Sequence, residues 1–190
     1  MVLQRVLPYS HSLMEQALSE GDIAIDATCG NGHDTLFLTN QVGENGHVYG
    51  FDIQQEAVDN TRQRLRDNDM ESRATLFHES HSHVKECIPE KHHSQIKAAI
   101  YNLGYLPGSD KSIVTTPKET IESVEKILSM IQKGGILVLV VYHGHPGGKE
   151  EKNALLEYVS NLDQKYFKAL QYGFINQKND PPFIVAIEKQ

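Results

Sequence analysis

The chain has no tryptophan, and its two cysteines, Cys29 and Cys87, are too few for a disulfide framework, which fits a reducing compartment. No apolar run is long enough to cross a bilayer, and the start, MVLQRVLPYSHS, lacks the apolar core of a signal peptide. These absences predict a soluble, cytoplasmic protein with no membrane partner. Positive charge is also scarce: 18 Lys and Arg stand against 25 Asp and Glu, a formal charge of −7. That balance argues against capture of nucleic acid by bulk electrostatics but leaves room for a local patch. Arg62, Arg64, Arg66 and Arg73 are the densest candidate, although Arg62 and Arg66, one helical turn apart, also read as a solvated helix face. Repeats, low-complexity tracts and linker-like shifts are missing too, so residues 1–190 read as a single domain with room for a substantial core.

What is present is organised around IAIDATCGNGHD, residues 23–34. A short apolar run ends in Asp26, a turn carries Gly30, Asn31 and Gly32, and a second apolar run ends in Asp52 about twenty residues further on. In an open parallel sheet, ligands sit outside the carboxyl ends of the strands, where a glycine turn lets backbone approach and an acid accepts from ribose hydroxyls. A dinucleotide fingerprint requires a third glycine, and the frame Gly30, Gly32, Thr35 lacks it. Asp26 also suits a ligand with a cationic group better than a pyrophosphate, which it would repel. The plain alternative is a tight strand-to-helix turn. The stretch resembles the first two motifs of the class I, Rossmann-like methyltransferases. That resemblance implies S-adenosylmethionine as cofactor, its methionine part held by the loop and its ribose by Asp52.

Ser12 followed by Glu15 is a capping-box pattern and predicts a helix over residues 11–19. Strands are predicted at 23–27, 47–52, 74–77, 96–101 and 136–142, the last being the most apolar and hence internal. Helices are predicted at 33–41, 54–68 and 149–162, with a weak one around 84–88. Thr116-Pro117-Lys118-Glu119 opens another helix, with a threonine cap, proline at the first helical position and a returning glutamate, and Gly134-Gly135 is expected to close it. Two strand-like runs at 166–175 and 183–188 have no helix between them, so they must form an antiparallel hairpin. The expected architecture is α/β: a doubly wound, mostly parallel seven-stranded sheet with an antiparallel C-terminal strand, as in class I methyltransferases.

Three strand exits carry candidate chemistry. After strand three comes HESHSH, where Ser80 and His81 would flank the adenine in the methyltransferase layout. His78, His81 and His83 invite comparison with a metal site, but no cysteine or acid cluster completes a ligand spacing, and no metal is expected. After strand four comes NLGYLPG. Methyltransferases acting on amino nitrogen often have an acid or Asn, two prolines and an aromatic here; Asn102 and Tyr105 keep the ends, and the proline pair is absent. After strand five comes YHGHPGG. An alkylamine acceptor must lose a proton before it attacks, and His143 is the first candidate to accept it, with Tyr142 shaping the pocket. His143 and His145 could equally cap the loop. Neither Cys29 nor Cys87 is placed as the nucleophile that cysteine-assisted carbon methylation requires, so nitrogen or oxygen methylation is preferred.

With DATCGNGHDT (26–35), FDIQ (51–54), the Ser80-His81 turn, YNLGYLPGSDK (101–111), VVYHGHPGG (140–148) and NDPPF (179–183), the chain resembles a small bacterial family labelled rRNA methylases and understood as tRNA 5-aminomethyl-2-thiouridine methyltransferases. The resemblance implies methylation of the exocyclic amine of the wobble uridine, with a tRNA anticodon loop as partner. Carried across by motif, Asp26, Gly30, Gly32 and Asp52 would bind S-adenosylmethionine, supported by Asn31, His33, Ser80, His81 and Asn102. Asn102, Tyr105, Tyr142 and His143 would form the acceptor side. A small acidic chain without a separate RNA-binding domain suggests a homodimer with a composite RNA surface. The rival readings are methylation of another RNA or of a small metabolite, and a non-catalytic module that binds cofactor or RNA. Convergence of Arg5, Lys111, Lys149 and Lys152 on the pocket mouth would favour RNA over a metabolite.

Overall fold

A computed structural model describes residues 2–104 and 116–190; Tyr105 and Lys111 lie outside the described residues. The helices are α1 (Val6–Ala17), α2 (His33–Val42), α3 (Gln55–Asp67), α4 (Val84–Cys87), α5 (Pro117–Met130) and α6 (Gly148–Ser160). The strands are β1 (Ile23–Asp26), β2 (His47–Asp52), β3 (Ala74–His78), β4 (Ile96–Leu103), β5 (Ile131–Val141), β6 (Phe167–Tyr172) and β7 (Phe183–Lys189). They form one sheet in the order β3-β2-β1-β4-β5-β7-β6, in which β1 to β5 are parallel and β7 runs antiparallel to both β5 and β6. The expected doubly wound sheet with its reversed last strand is present. Strand order turns back between β1 and β4, and a crevice forms at such a point beyond the carboxyl ends of the strands.

Period-two alternation sorts the strand side chains onto two helix layers. Ala99, Tyr101 and Leu103 of β4 and Leu137, Leu139 and Val141 of β5 share a core with residues of α4, α5 and α6. Ala98, Ile100, Val138 and Val140 point the other way and pack with Met14 of α1 and Leu38 of α2. This alternation continues to the strand ends, where it decides which side each functional residue faces.

Two boundaries differ from expectation for identifiable reasons. Helix α1 begins five residues before the expected start: Pro8 sits in its first turn, where a missing N–H is harmless, and Ser12 lies inside the helix, its hydroxyl accepting from the Gln4 side chain rather than capping. Gly134-Gly135 does not close α5, which ends at Met130. The pair lies in a bulge of β5, where the register jumps from Ile96 opposite Ile131 to Ala98 opposite Ile136. Gly134 is left-handed at φ 71°, and a Cβ on Gly135 would stand 2.8 Å from the Lys97 carbonyl oxygen. Helix α5 does open as predicted, the Thr116 hydroxyl accepting from the Glu119 N–H and Pro117 following the cap.

The fully buried Tyr101 hydroxyl meets the buried Ser123 hydroxyl of α5 at 2.6 Å, pinning that helix to the sheet. Tyr101→Phe is expected to cost about 1–3 kcal/mol in urea unfolding, because Ser123 loses its partner in the core. Adding Ser123→Ala should recover part of the loss, and a fully additive double variant would refute the coupling.

Candidate cofactor and acceptor site

The loop after β1 is built on Asp26, whose carboxylate is wholly buried. One oxygen accepts from the Thr35 hydroxyl at 2.6 Å and the other from the Thr28 N–H at 3.1 Å. Burial, then the neighbouring charge of Asp34, pushes its pKa up to about 7. Asp26 thus ties β1 to the first turn of α2 and shapes the loop from beneath. Gly30 and Gly32 both take left-handed conformations, and a Cβ on Gly32 would lie 2.8 Å from the Thr61 Cα. The Gly30 N–H donates to Asp52 at 2.9 Å, and the other Asp52 oxygen accepts from the Gln54 N–H at 3.0 Å. The Asp52 pKa is raised by burial, which outweighs these backbone donors. Each of its oxygens keeps lone-pair capacity for a hydroxyl. Cys29 is buried, and its Sγ occupies the space a side chain at Gly50 would need, so it is a packing residue.

Asn31 and His33 look outward. Arg64 of α3 donates to the Asn31 carbonyl at 2.7 Å and contacts the His33 ring at 3.3 Å, while Asn60 donates to the Asn31 side chain at 3.3 Å. Together with α3 they line a cavity of about 340 Å³ on the flank of the loop. Arg64, one of the basic cluster, is therefore a loop clamp. Arg62 and Arg66 pair with Asp59 and Glu71, the solvated reading.

At the end of β3, the Glu79 N–H donates to the Asp52 carbonyl, which brings the Ser80 turn beside the second strand's acid. Ser80 caps the turn by accepting from the Ser82 N–H. His81 is buried edge-on to Tyr101, its pKa lowered to about 4 by burial, and its Nδ1 has no partner among the described residues. The three histidines do not converge: His78 donates to the Ile53 carbonyl and His83 pairs with Glu79.

Alternation places Asn102 on the α1–α2 side of β4. Its N–H donates to the Thr28 hydroxyl at 2.7 Å, and its side-chain amide donates to Asp34. The other Asp34 oxygen meets His11 Nε2 of α1 at 2.6 Å, and the His11 ring stacks on Phe37 at 3.9 Å. Tyr142 faces the same side; its pKa is raised by burial and by the charge of Asp34. His143, one residue on, takes the opposite side. Its ring packs edge-on to Phe183, Nε2–H donates to the Pro181 carbonyl at 3.1 Å, and buried Nδ1 lies 3.8 Å from Asp180. It lines a separate cavity of about 480 Å³ with Lys152, Phe174 and Pro182. The structure thus brings Asn102 and Tyr142 together and sends His143 to the turn before β7. Asp34 and His11 were missed in the sequence. An acid in a first helical turn is ordinary, and a contact between residues 11 and 34 has no local signal.

The donor set fits S-adenosylmethionine: hydroxyl-accepting Asp52 is joined to the Gly30 loop by the Gly30 N–H and to the Ser80-His81 turn by the Glu79 N–H. Because the Asp26 pKa is raised on folding, the protonated carboxyl favours the folded state fully below about pH 3.8, and this advantage is lost as pH rises towards about 7. Stability of the wild type relative to Asp26→Asn should therefore fall across that window and level off above it, as read from denaturation midpoints. A pH-independent difference would refute the buried ionisation.

Comparison with known proteins agrees with this geometry. The family described as "Putative rRNA methylase" matches residues 48–188. A chloroplastic tRNA (mnm(5)s(2)U34)-methyltransferase of Arabidopsis thaliana is 34% identical over 95% of this chain and 68% of its own. A crystal structure under the same rRNA-methylase description, from Clostridium thermocellum, superposes with a TM-score of 0.96 at 43% identity, covering 100% of both chains. The Streptococcus mutans protein SMU.1697c, solved in complex with SAH, gives 0.89 at 39% identity over 99% of both. The sheet order, the crevice at its turning point and these full-length likenesses place the chain in the rRNA methylase family of class I, S-adenosylmethionine-dependent methyltransferases.

Proposed function

We propose that this protein transfers a methyl group from S-adenosylmethionine to the exocyclic amine of 5-aminomethyl-2-thiouridine at the wobble position of tRNA. The observation that carries the reading is the match along almost the whole chain to a relative named for the methylated form of that nucleoside, supported by Asn102 and Tyr142 lying on the same side of the sheet as Asp34. The family description names rRNA, but a wobble base lies in a single-stranded loop and can be splayed into a pocket without melting a duplex.

The cofactor supplies an electrophilic methyl on a sulfonium. The protein's task is to align the acceptor nitrogen in line with it and to leave that nitrogen a free lone pair. Asp52 and the Gly30 loop hold the ribose and methionine ends; Ser80 and His81 flank the base; Asp26 holds the loop in shape. The carboxylate of Asp34 cannot donate, so the Asn102 amide must present its NH2 to it, and its carbonyl oxygen is left to accept from the incoming amine. Tyr142 walls this side. His143 contributes through the turn it fastens, residues 179–183, and Tyr105 belongs to the acceptor side by motif.

The same proposal includes a cytoplasmic homodimer whose two chains share the RNA. No helix among the described residues is long and apolar enough to cross a membrane. Edge strand β6 exposes Leu170, with Tyr166 before it and Ile175 beyond, a surface suited to a second copy. Of the basic residues whose convergence would favour RNA, Lys149 lies 3.9 Å from Asp180 and Lys152 lines the separate cavity behind His143, while Lys111 lies outside the described residues. A sedimenting monomer that modifies tRNA at full rate would remove the dimer.

Nucleosides from tRNA of cells lacking the protein should show 5-aminomethyl-2-thiouridine in place of its methylated form by mass spectrometry. Unchanged methylation would sink the reading. Purified Asn102→Ala should methylate that tRNA about 100-fold more slowly, the scale of one lost positioning contact.

A further inference from the structure

We propose that Asp34 is the carboxylate that receives the acceptor amine and takes its proton, with His11 holding it in place. The inference rests on the amine-methylation reading above and names the group that reading lacked once His143 is seen to face Pro181.

Among the described residues, Asp26, Asp34 and Asp52 are the acids tied to the loop after β1 and the helix that follows it. Asp26 is sealed beneath the loop by Thr35 and Thr28, and Asp52 is spanned by two backbone donors on the ribose side. Asp34 stands on the acceptor side, beside Asn102 and Tyr142. Its side chain is 13% exposed and that of its partner His11 33%, so the pair opens towards solvent. One oxygen is held by His11 and the other by Asn102, which fixes the plane of the carboxylate. Each oxygen retains a lone pair for a third donor. His11 is itself locked by its stack on Phe37. An anchored, partly exposed carboxylate next to an amide oxygen is a receptor for a primary alkylammonium, the charged form of an aminomethyl group.

The charges balance. The ammonium N–H bond breaks as its proton passes to Asp34. The freed nitrogen lone pair then forms the N–CH3 bond while the methyl–sulfur bond breaks and its electron pair stays on sulfur as a thioether. The product is a secondary ammonium, and the Asp34 proton passes to water when it leaves. Asp34 touches the reacting nitrogen and is catalytic in this sense; His11 acts through Asp34 and is a positioning residue. Among the described residues, Asp26 and Tyr142 are, with His11, the titratable groups close to Asp34.

The test uses full-length enzyme, tRNA from cells lacking it, single-turnover methyl transfer across pH, and calorimetric binding of SAH, which also reports folding. At pH 7, Asp34→Asn should be at least about 100-fold slower, with SAH affinity within about threefold of wild type, a spread well under the tenfold that 1.4 kcal/mol represents. The deficit should shrink as pH rises towards the amine's own range, about 10.4 for a lysine-like amine, because the substrate then arrives deprotonated. His11→Gln, which keeps a donor to Asp34, should retain more activity than His11→Ala. A deficit independent of pH, or a loss of SAH affinity equal to the loss of rate, overturns the proposal, the latter placing Asp34 on the cofactor. A wild-type enzyme that binds SAH but leaves this tRNA unmethylated overturns the substrate reading, and this proposal with it.

Discussion

The bond on which the site depends is the one from the Thr35 hydroxyl to buried Asp26. A carboxylate taken out of water is tolerated only when donors meet it. Those donors come from the loop it precedes and the helix that follows. This anchors the first turn of α2 on the end of β1. It sets the height of Asp34 against β4, and so the contact between Asp34 and Asn102. The left-handed glycines let the loop make the turn, and the Gly30 N–H reaching Asp52 carries the constraint to β2. Cofactor side and acceptor side are held by one short segment.

The second constraint is the pleat. Asn102 and Tyr142 face α1 and α2 because they continue the phase of Ile100 and Val140; His143 falls on the other side with Phe183. A strand end has no freedom to offer both of two successive side chains to one pocket. The division separates the side that carries Asp34 from the cavity behind His143, which is bounded by the β6–β7 turn and α6. Methyl transfer needs little beyond alignment and a free lone pair, so one amide, one carboxylate and one aromatic wall are a sufficient acceptor side.

Much of the fold was legible because its signals are local. The strand 47–52 follows from its short apolar run, and the Thr116-Pro117 helix start from capping chemistry alone. The hairpin at 166–188 follows from the absence of any crossover segment. Gly134-Gly135 misled because glycine serves a helix end and a strand bulge equally well; the register of β5 against β4 chose the bulge. Ser12 misled in the same way, since a capping pattern says nothing of an earlier start that Pro8 permits.

For the site, the sequence by itself determined the cofactor class and the strand exits where chemistry would sit. The glycine turn, the spaced acids and the NLGY and YHGH motifs are contiguous in the chain and carry their chemistry in their residue types. Tertiary structure alone decided orientation and partnership. It buried Asp26 under the loop and turned Asn31 and His33 towards α3. It joined His11, Asp34 and Asn102 across three separate elements. Which way a side chain points at the end of a strand depends on a register, and a register is set by neighbours distant in sequence.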